Sequence, residues 1–163
     1  MSASVNFRLS VTPPTSDFAL TPEFELDEDF ESLVMDACQI LSRTDCQFHV
    51  SGFGQDPWPV DVSYDLSSAI ENLPEAIEAL KHGESAQIDF YGQGIERLVT
   101  FTPQGETVVI KCTSNTAWTP DPDTEEISLG EARNLLLTLA RDFKAALERV
   151  CPQVAALDAF AAW

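Results

Sequence analysis

Hydrophobic positions recur with two different periods along this chain, and each change of period marks a new element. Near the start Val5, Phe7, Leu9 and Val11 alternate with Asn6, Arg8 and Ser10, the pattern of a half-buried strand. A loop rich in Pro, Thr and Ser follows, "TPPTSDFALTP". Then Phe30, Leu33, Val34, Ala37, Cys38 and Leu41 fall on one face of an amphipathic helix, with Asp27, Glu28 and Asp29 at its dipole-positive start. Alternation returns twice, in Cys46, Phe48 and Val50 and again in Val60, Val62 and Tyr64. The two strands this predicts are joined by "SGFGQDPWPV", too irregular for a tight hairpin turn.

Helical spacing resumes in "DLSSAIENLPEAIEALKHG", through Leu66, Ile70, Leu73, Ile77 and Leu80. Ser68 and Glu71 have capping-box spacing, but Pro74 lacks the N–H that a helix interior needs. The expectation is one short turn, then a helix entered at Pro74 and closed at Gly83. Three strands, "SAQIDFY", "IERLVTF" and "TVVIKCT", follow with short Gly-containing joints, which predicts an antiparallel meander. A last long helix is expected from about Leu129 to Val150, stopped by Pro152, with Leu137 off its main apolar stripe. The tail "VAALDAFAAW" reads as a short amphipathic helix able to cover Leu137. Strands grouped in hairpins and not alternating singly with helices argue for an α+β fold. The expectation is a single domain over residues 1–163, with a mostly antiparallel sheet of about five to six strands, helices on one face and a C-terminal helical segment.

Composition changes this picture in one respect. At 163 residues and 44% hydrophobic, the chain is long enough and apolar enough for one well-cored domain. Its charge is the outlier: 9 Lys and Arg face 27 Asp and Glu, a net charge of −18. A field of that sign repels nucleic acids and anionic membranes and attracts basic proteins. No apolar run reaches the roughly 20 residues of a membrane span, and "MSASVNFRLS" lacks the charged and apolar blocks of a signal peptide, so a cytoplasmic location is expected. Cys38, Cys46, Cys112 and Cys151 form no CxxC pair and read as small buried hydrophobes.

Signatures of chemistry are missing. A calcium loop begun at Asp121 would place Glu126 where glycine belongs and Ala132 at the twelfth position. Ser128 and Glu131 instead have capping-box spacing, so "TPDPDTEEISLGEA" reads as the approach to the last helix. His49 and Cys46 lie three apart on a strand, on opposite faces, and His82 closes a helix; neither suggests zinc. "GQGIER" lies between strands, and no phosphate loop or nucleophile elbow is present. No catalytic residue, metal or cofactor is therefore expected. What remains is acidic clusters and loop aromatics. One cluster is Asp121, Asp123, Glu125 and Glu126 beside Trp118, expected to face solvent; a second contains Glu23, Glu25 and Glu28; Asp56 accompanies Trp58. A loop tryptophan either covers the core or anchors an interface. Glu71, Glu75 and Glu78 make a further acidic stripe, while Arg133, Arg141 and Lys144 on the last helix read as ion-pair partners for the acidic bulk.

In its single domain, its negative charge, the "QDPWPVD" and "NTAWTPDPDTEE" loops and the closing "FAAW", the chain resembles the small acidic cytosolic immunity proteins of bacterial polymorphic-toxin and contact-dependent inhibition systems. The resemblance implies a non-enzymatic inhibitor that binds a cognate toxin domain, such as a nuclease, and blocks its active site. A basic active site would be drawn to a polyanionic surface by electrostatic steering. The expected contact residues are Trp118, Asp121, Asp123, Glu125, Glu126, Trp58 and Asp56, or the cluster of Glu23, Glu25 and Glu28. Three other readings stay open: a DNA mimic with carboxylates spaced like phosphates, a small enzyme or ligand-binding domain with a site assembled only in the fold, and a scaffold subunit with apolar patches.

Overall fold

A computed structural model describes residues 7–15 and 29–163. Strand β1 (Arg8–Thr12) is followed by helix α1 (Phe30–Leu41), strand β2 (Gln47–Ser51) and helix α2 (Asp65–Lys81). Strands β3 (Ala86–Phe90), β4 (Arg97–Gln104), β5 (Thr107–Ser114) and β6 (Thr124–Ser128) come next. Helices α3 (Leu129–Val150), α4 (Pro152–Ala155) and α5 (Asp158–Ala161) close the chain. The fold is α+β. Its six strands divide between an antiparallel pair, β1–β2, and an antiparallel four-stranded sheet in the order β3-β4-β5-β6.

The alternating positions behave as their period requires. Phe7, Leu9 and Val11 are buried, as are Phe48 and Val50 on β2, and Leu9 lies opposite Val50 in the pair. In the larger sheet Ile88, Val99 and Cys112 stand in register across three strands, and Ala86, Phe101 and Ile110 do so one pleat away. All six are buried, so one face of this sheet is core. Helices α2 and α3 supply the opposing apolar stripes, Leu66, Ile70 and Leu73 from one and Leu136, Leu139 and Phe143 from the other. Each such side chain taken from water contributes roughly 1.5–3 kcal/mol. The tail adds Phe160, fully buried against Phe143, with Trp163 packed edge-on to Phe30, so "FAAW" closes the core. Asp29 and Ser128 cap α1 and α3 through bonds from Ser32 N–H and Glu131 N–H.

Four expectations need correction. No strand forms at Val60–Tyr64: Asp61 Oδ1 accepts from the N–H groups of Tyr64 and Asp65 and turns this segment into the start of α2. Helix α2 then runs unbroken through Pro74, because the proline is exposed while Leu73, Ala76 and Leu80 continue the buried stripe begun by Leu66 and Ile70. Packing on both sides of the proline outweighs its missing N–H. Ser68 is inside this helix and bonds back to Tyr64 O, so it caps nothing. Residues Thr124–Ser128 form β6, pairing with β5, where an irregular approach to α3 is expected from the sequence. Finally, Leu137 lies in a shallow cleft with Ile77 of α2 and not under the tail. Val5 and, of the second acidic cluster (Glu23, Glu25, Asp27, Glu28, Asp29 and Glu31), Glu23, Glu25, Asp27 and Glu28 lie outside the described residues, while Asp29 and Glu31 are exposed at the start of α1. No helix among the described residues is long and apolar enough to cross a membrane.

Candidate functional site

The loop after β2 is built by "GFG". Gly52 and Gly54 have φ of 132° and 89°, and a Cβ on Gly54 would stand 2.2 Å from Asp121 O. Only glycine fits such a position. Between them Phe53 has φ 55° and is fully buried; its carbonyl accepts from Asp121 N–H at 2.9 Å. The loop carrying Trp118 and the loop carrying Trp58 are thereby fastened together.

Glu125 completes the fastening. On β6 it stands opposite Ile110, which puts its side chain on the core face of the sheet. Its Oε1 accepts from Phe7 N–H at 2.7 Å and its Oε2 from Phe53 N–H at 2.9 Å. Glu125 is thus half-buried and joins the two sheets, contrary to the solvent-facing role expected of it. The reason is the β6 pleat: Glu125 and Ile127 turn inward while Thr124, Glu126 and Ser128 turn outward. Asp121, Asp123 and Glu126 are exposed, so three of the four expected carboxylates do face water.

Trp58 is buried within an aromatic cluster with Phe7, Phe53 and Phe90, and its Nε1–H donates to Gly52 O at 3.0 Å. It belongs to the core and is not a surface anchor. Trp118 is half-buried above it, 5.9 Å away between ring centroids. Against both rings lies Arg97, an inward position of β4, with Cζ 4.5 Å from the Trp58 centroid and 3.6 Å from that of Trp118. Its guanidinium donates to Gln55 Oε1 at 2.7 Å, and its Nε is buried without a partner among the described residues. Burial pulls Arg97 below the ordinary arginine pKa. Asp56, exposed on the same loop, pairs with His49 at 2.8 Å.

Next to this stack a cleft of about 390 Å³ opens between the start of α2, the outer face of α1 and the β3–β4 loop. Asp61, Asp65 and Ser67 line it from α2 and the turn before it, with Tyr64, Tyr91 and Met35 at its edges. Those last three, at 58%, 54% and 41% exposure, are the large hydrophobic side chains exposed among the described residues. All three converge on one place. Asp65 is 7% exposed and accepts from Asp61 N–H through Oδ2; burial first, then the neighbouring Asp61, raises its pKa, against the pull of that bond and of Arg97. Glu71, nearly two turns further along α2, is also raised by burial and by Glu31 and Asp89, although the neighbouring Tyr91 hydroxyl opposes the shift. The Glu71 carboxylate beside it, with burial, pushes the Tyr91 hydroxyl up to about 12. Ser67 is 2% exposed, and its Oγ has no hydrogen-bond partner among the described residues.

The sequence contained a trace of this cleft. Tyr64 and Tyr91 are the chain's two tyrosines, and Met35 is its one methionine beyond the first residue. Met35 falls off the apolar stripe of α1, and Tyr91 follows the inward Phe90, so both point outward by period alone. Tyr64 was hidden by its place in an apparent strand.

The remaining candidates are structural. Cys38, Cys46, Cys112 and Cys151 are buried and unpaired; burial raises the Cys46 and Cys112 thiols to about 11 and pushes Cys38 well up. His82 pairs with Glu78 at 2.7 Å on exposed helix. Lys144 donates to the carbonyl of Trp163 at 3.1 Å, and neither it, Arg133 nor Arg141 makes an ion pair among the described residues, contrary to expectation. No group of three or more His, Cys, Asp and Glu side chains among the described residues is placed to hold a metal ion. Compared with protein-family models, with curated proteins and with solved structures, the chain has no match.

Proposed function

We propose that this protein is a non-catalytic acidic binding protein that neutralises a basic protein partner, in the manner of a toxin-specific immunity protein. The observation that carries the reading is the convergence of Met35, Tyr64 and Tyr91 on a cleft floored by Asp61 and Asp65, on a molecule of net charge −18. Exposed aromatic anchors ringed by charge are what a protein interface needs at its centre. The exposed carboxylates Asp121, Asp123 and Glu126 add long-range attraction for a cationic surface.

An enzyme reading draws on the same cleft, since raised carboxylates in a concavity are what acid–base chemistry requires. It is weakened by the work those groups already do. Asp61 holds the first N–H groups of α2, and Asp65 holds Asp61.

In bacterial cells, making the protein encoded beside this one should arrest growth, and co-production of this chain should restore it. The purified pair should associate at a rate that falls as salt is raised. Replacing Asp121, Asp123 and Glu126 by lysine, with Glu125 kept, should slow association and flatten its salt dependence. Growth arrest that this chain does not relieve, with no complex formed at low salt, would defeat the reading.

A further inference from the structure

We propose that the Tyr64–Tyr91 cleft receives the guanidinium of an arginine side chain presented by the basic partner, an inference that rests on the function proposed above. Four observations lead to it. The first is charge: Asp61 and Asp65 line the cleft, and Glu71 and Glu31 stand close enough to Tyr91 at its edge to act on that hydroxyl. Arg97, the cation that acts on Asp65, is held in the core by Trp58 and Trp118, and no lysine, arginine or histidine lines the cleft among the described residues.

The second concerns the alternative of an anion. A helix N-terminus attracts anions through its free N–H groups. Here Asp61 occupies the N–H groups of Tyr64 and Asp65 through Oδ1, and its carbonyl takes that of Leu66. With those donors filled by a carboxylate, a second anion would meet repulsion.

The third is the hydrogen-bonding inventory. The bonds inside the protein use one oxygen each of Asp61 and Asp65, leaving Asp61 Oδ2 and Asp65 Oδ1 as acceptors. Ser67 lines the cleft as well, and its buried Oγ has no hydrogen-bond partner among the described residues. A buried hydroxyl without a partner is uncommon, because desolvation is then uncompensated. A guanidinium carries five N–H donors in a flat fork and suits several acceptors set around one concavity.

The fourth is shape and surface. Tyr64 and Tyr91 are more than half exposed at the cleft edges. A planar cation gains from lying on a tyrosine face, and Met35 adds apolar cover for the methylene stem. A lysine ammonium fits less well, being compact and strongly hydrated. Gly92 keeps the floor open, since a Cβ there would stand 3.0 Å from Asp65 Oδ1.

The test is a ¹⁵N NMR titration of the full chain with N-acetyl-arginine amide, with the lysine and citrulline analogues as controls. The arginine probe should give saturable shifts confined to residues 61–68 and 91–93, with affinity of order millimolar. The citrulline analogue, equal in shape but uncharged, should bind at least about tenfold more weakly. Ser67→Ala and Tyr64→Ala should each weaken the arginine probe by about threefold or more while leaving the thermal midpoint unchanged or higher. Equal binding of arginine and citrulline, diffuse shifts over the whole surface, or indifference to both substitutions would overturn the proposal. The partner separates this inference from the reading beneath it. A complex that forms and is insensitive to Tyr64→Ala and Tyr91→Ala defeats the arginine cleft and leaves the binding function standing. Selective binding of the probe by a chain that protects against no toxin defeats the function and keeps the cleft.

Discussion

Glu125 has one oxygen on the amide of Phe7 and the other on the amide of Phe53, two groups drawn from distant parts of the chain. Both amides are partly buried, so each loses solvation that only this carboxylate restores. Leaving such a donor unpaired costs about 1–3 kcal/mol. Glu125→Ala is therefore expected to destabilise by roughly 2–5 kcal/mol and Glu125→Gln by about half that, since the amide group of glutamine turns a donor toward one N–H. Glu126→Ala, one residue on but facing water, should stay within about 0.5 kcal/mol of the parent. Urea unfolding of the three variants measures the difference, and equal effects at 125 and 126 would remove the clamp. The same comparison changes how the acidic cluster is used: substitutions meant to probe partner binding have to spare Glu125, because they would otherwise report on folding.

Helix α2 holds a proline in its interior, against the preference of the isolated segment. Pro74 leaves Ile70 O without its helical donor, and the ring crowds the same carbonyl. Pro74→Ala should stabilise the protein by about 1–3 kcal/mol in thermal or urea unfolding. A loss of stability would mean that the proline shapes the helix in a way packing depends on. This element also shows where legibility ended. Strands β1 to β5 and helices α1 and α3 follow from side-chain period because their buried positions are apolar, and Ser128 marked the start of α3. Strand β6 escaped because one of its inward positions is a glutamate, so its alternation looks acidic and not amphipathic. The apparent strand at Val60–Tyr64 arose from the opposite accident, an alternation in a segment that Asp61 converts to a helix start. That error cost the site as well, because it turned Tyr64 inward. The Trp58 and Trp118 loops were legible as tryptophan-bearing loops, but their joint use by Arg97 depends on two loops meeting across the fold.

For the molecule as a whole, 27 acidic groups against 9 basic ones tie stability to pH. Asp65 and Glu71 are raised, so the folded protein keeps their protons at pH values where the unfolded chain has released them. In that window, which begins near the ordinary carboxylate value of about 4, the folded state binds more protons and these two groups make stability fall as pH rises. Above their raised values the penalty is constant. Asp29 and Glu78, lowered by bonds from Ser32 and His82, act in the other sense: they stabilise above the ordinary value and lose that contribution as pH falls through their own. Asp65→Asn should therefore be more favourable, relative to the parent, at neutral pH than at about pH 4 in paired urea titrations. A difference that stays constant with pH would mean that Asp65 is not held above its ordinary value. The Glu125 clamp bears on a later stage of the protein's life. It links positions 118 residues apart, so Phe7 leaves the ribosome long before Glu125 has been translated, and throughout that interval the nascent chain presents an open seam to chaperones and proteases.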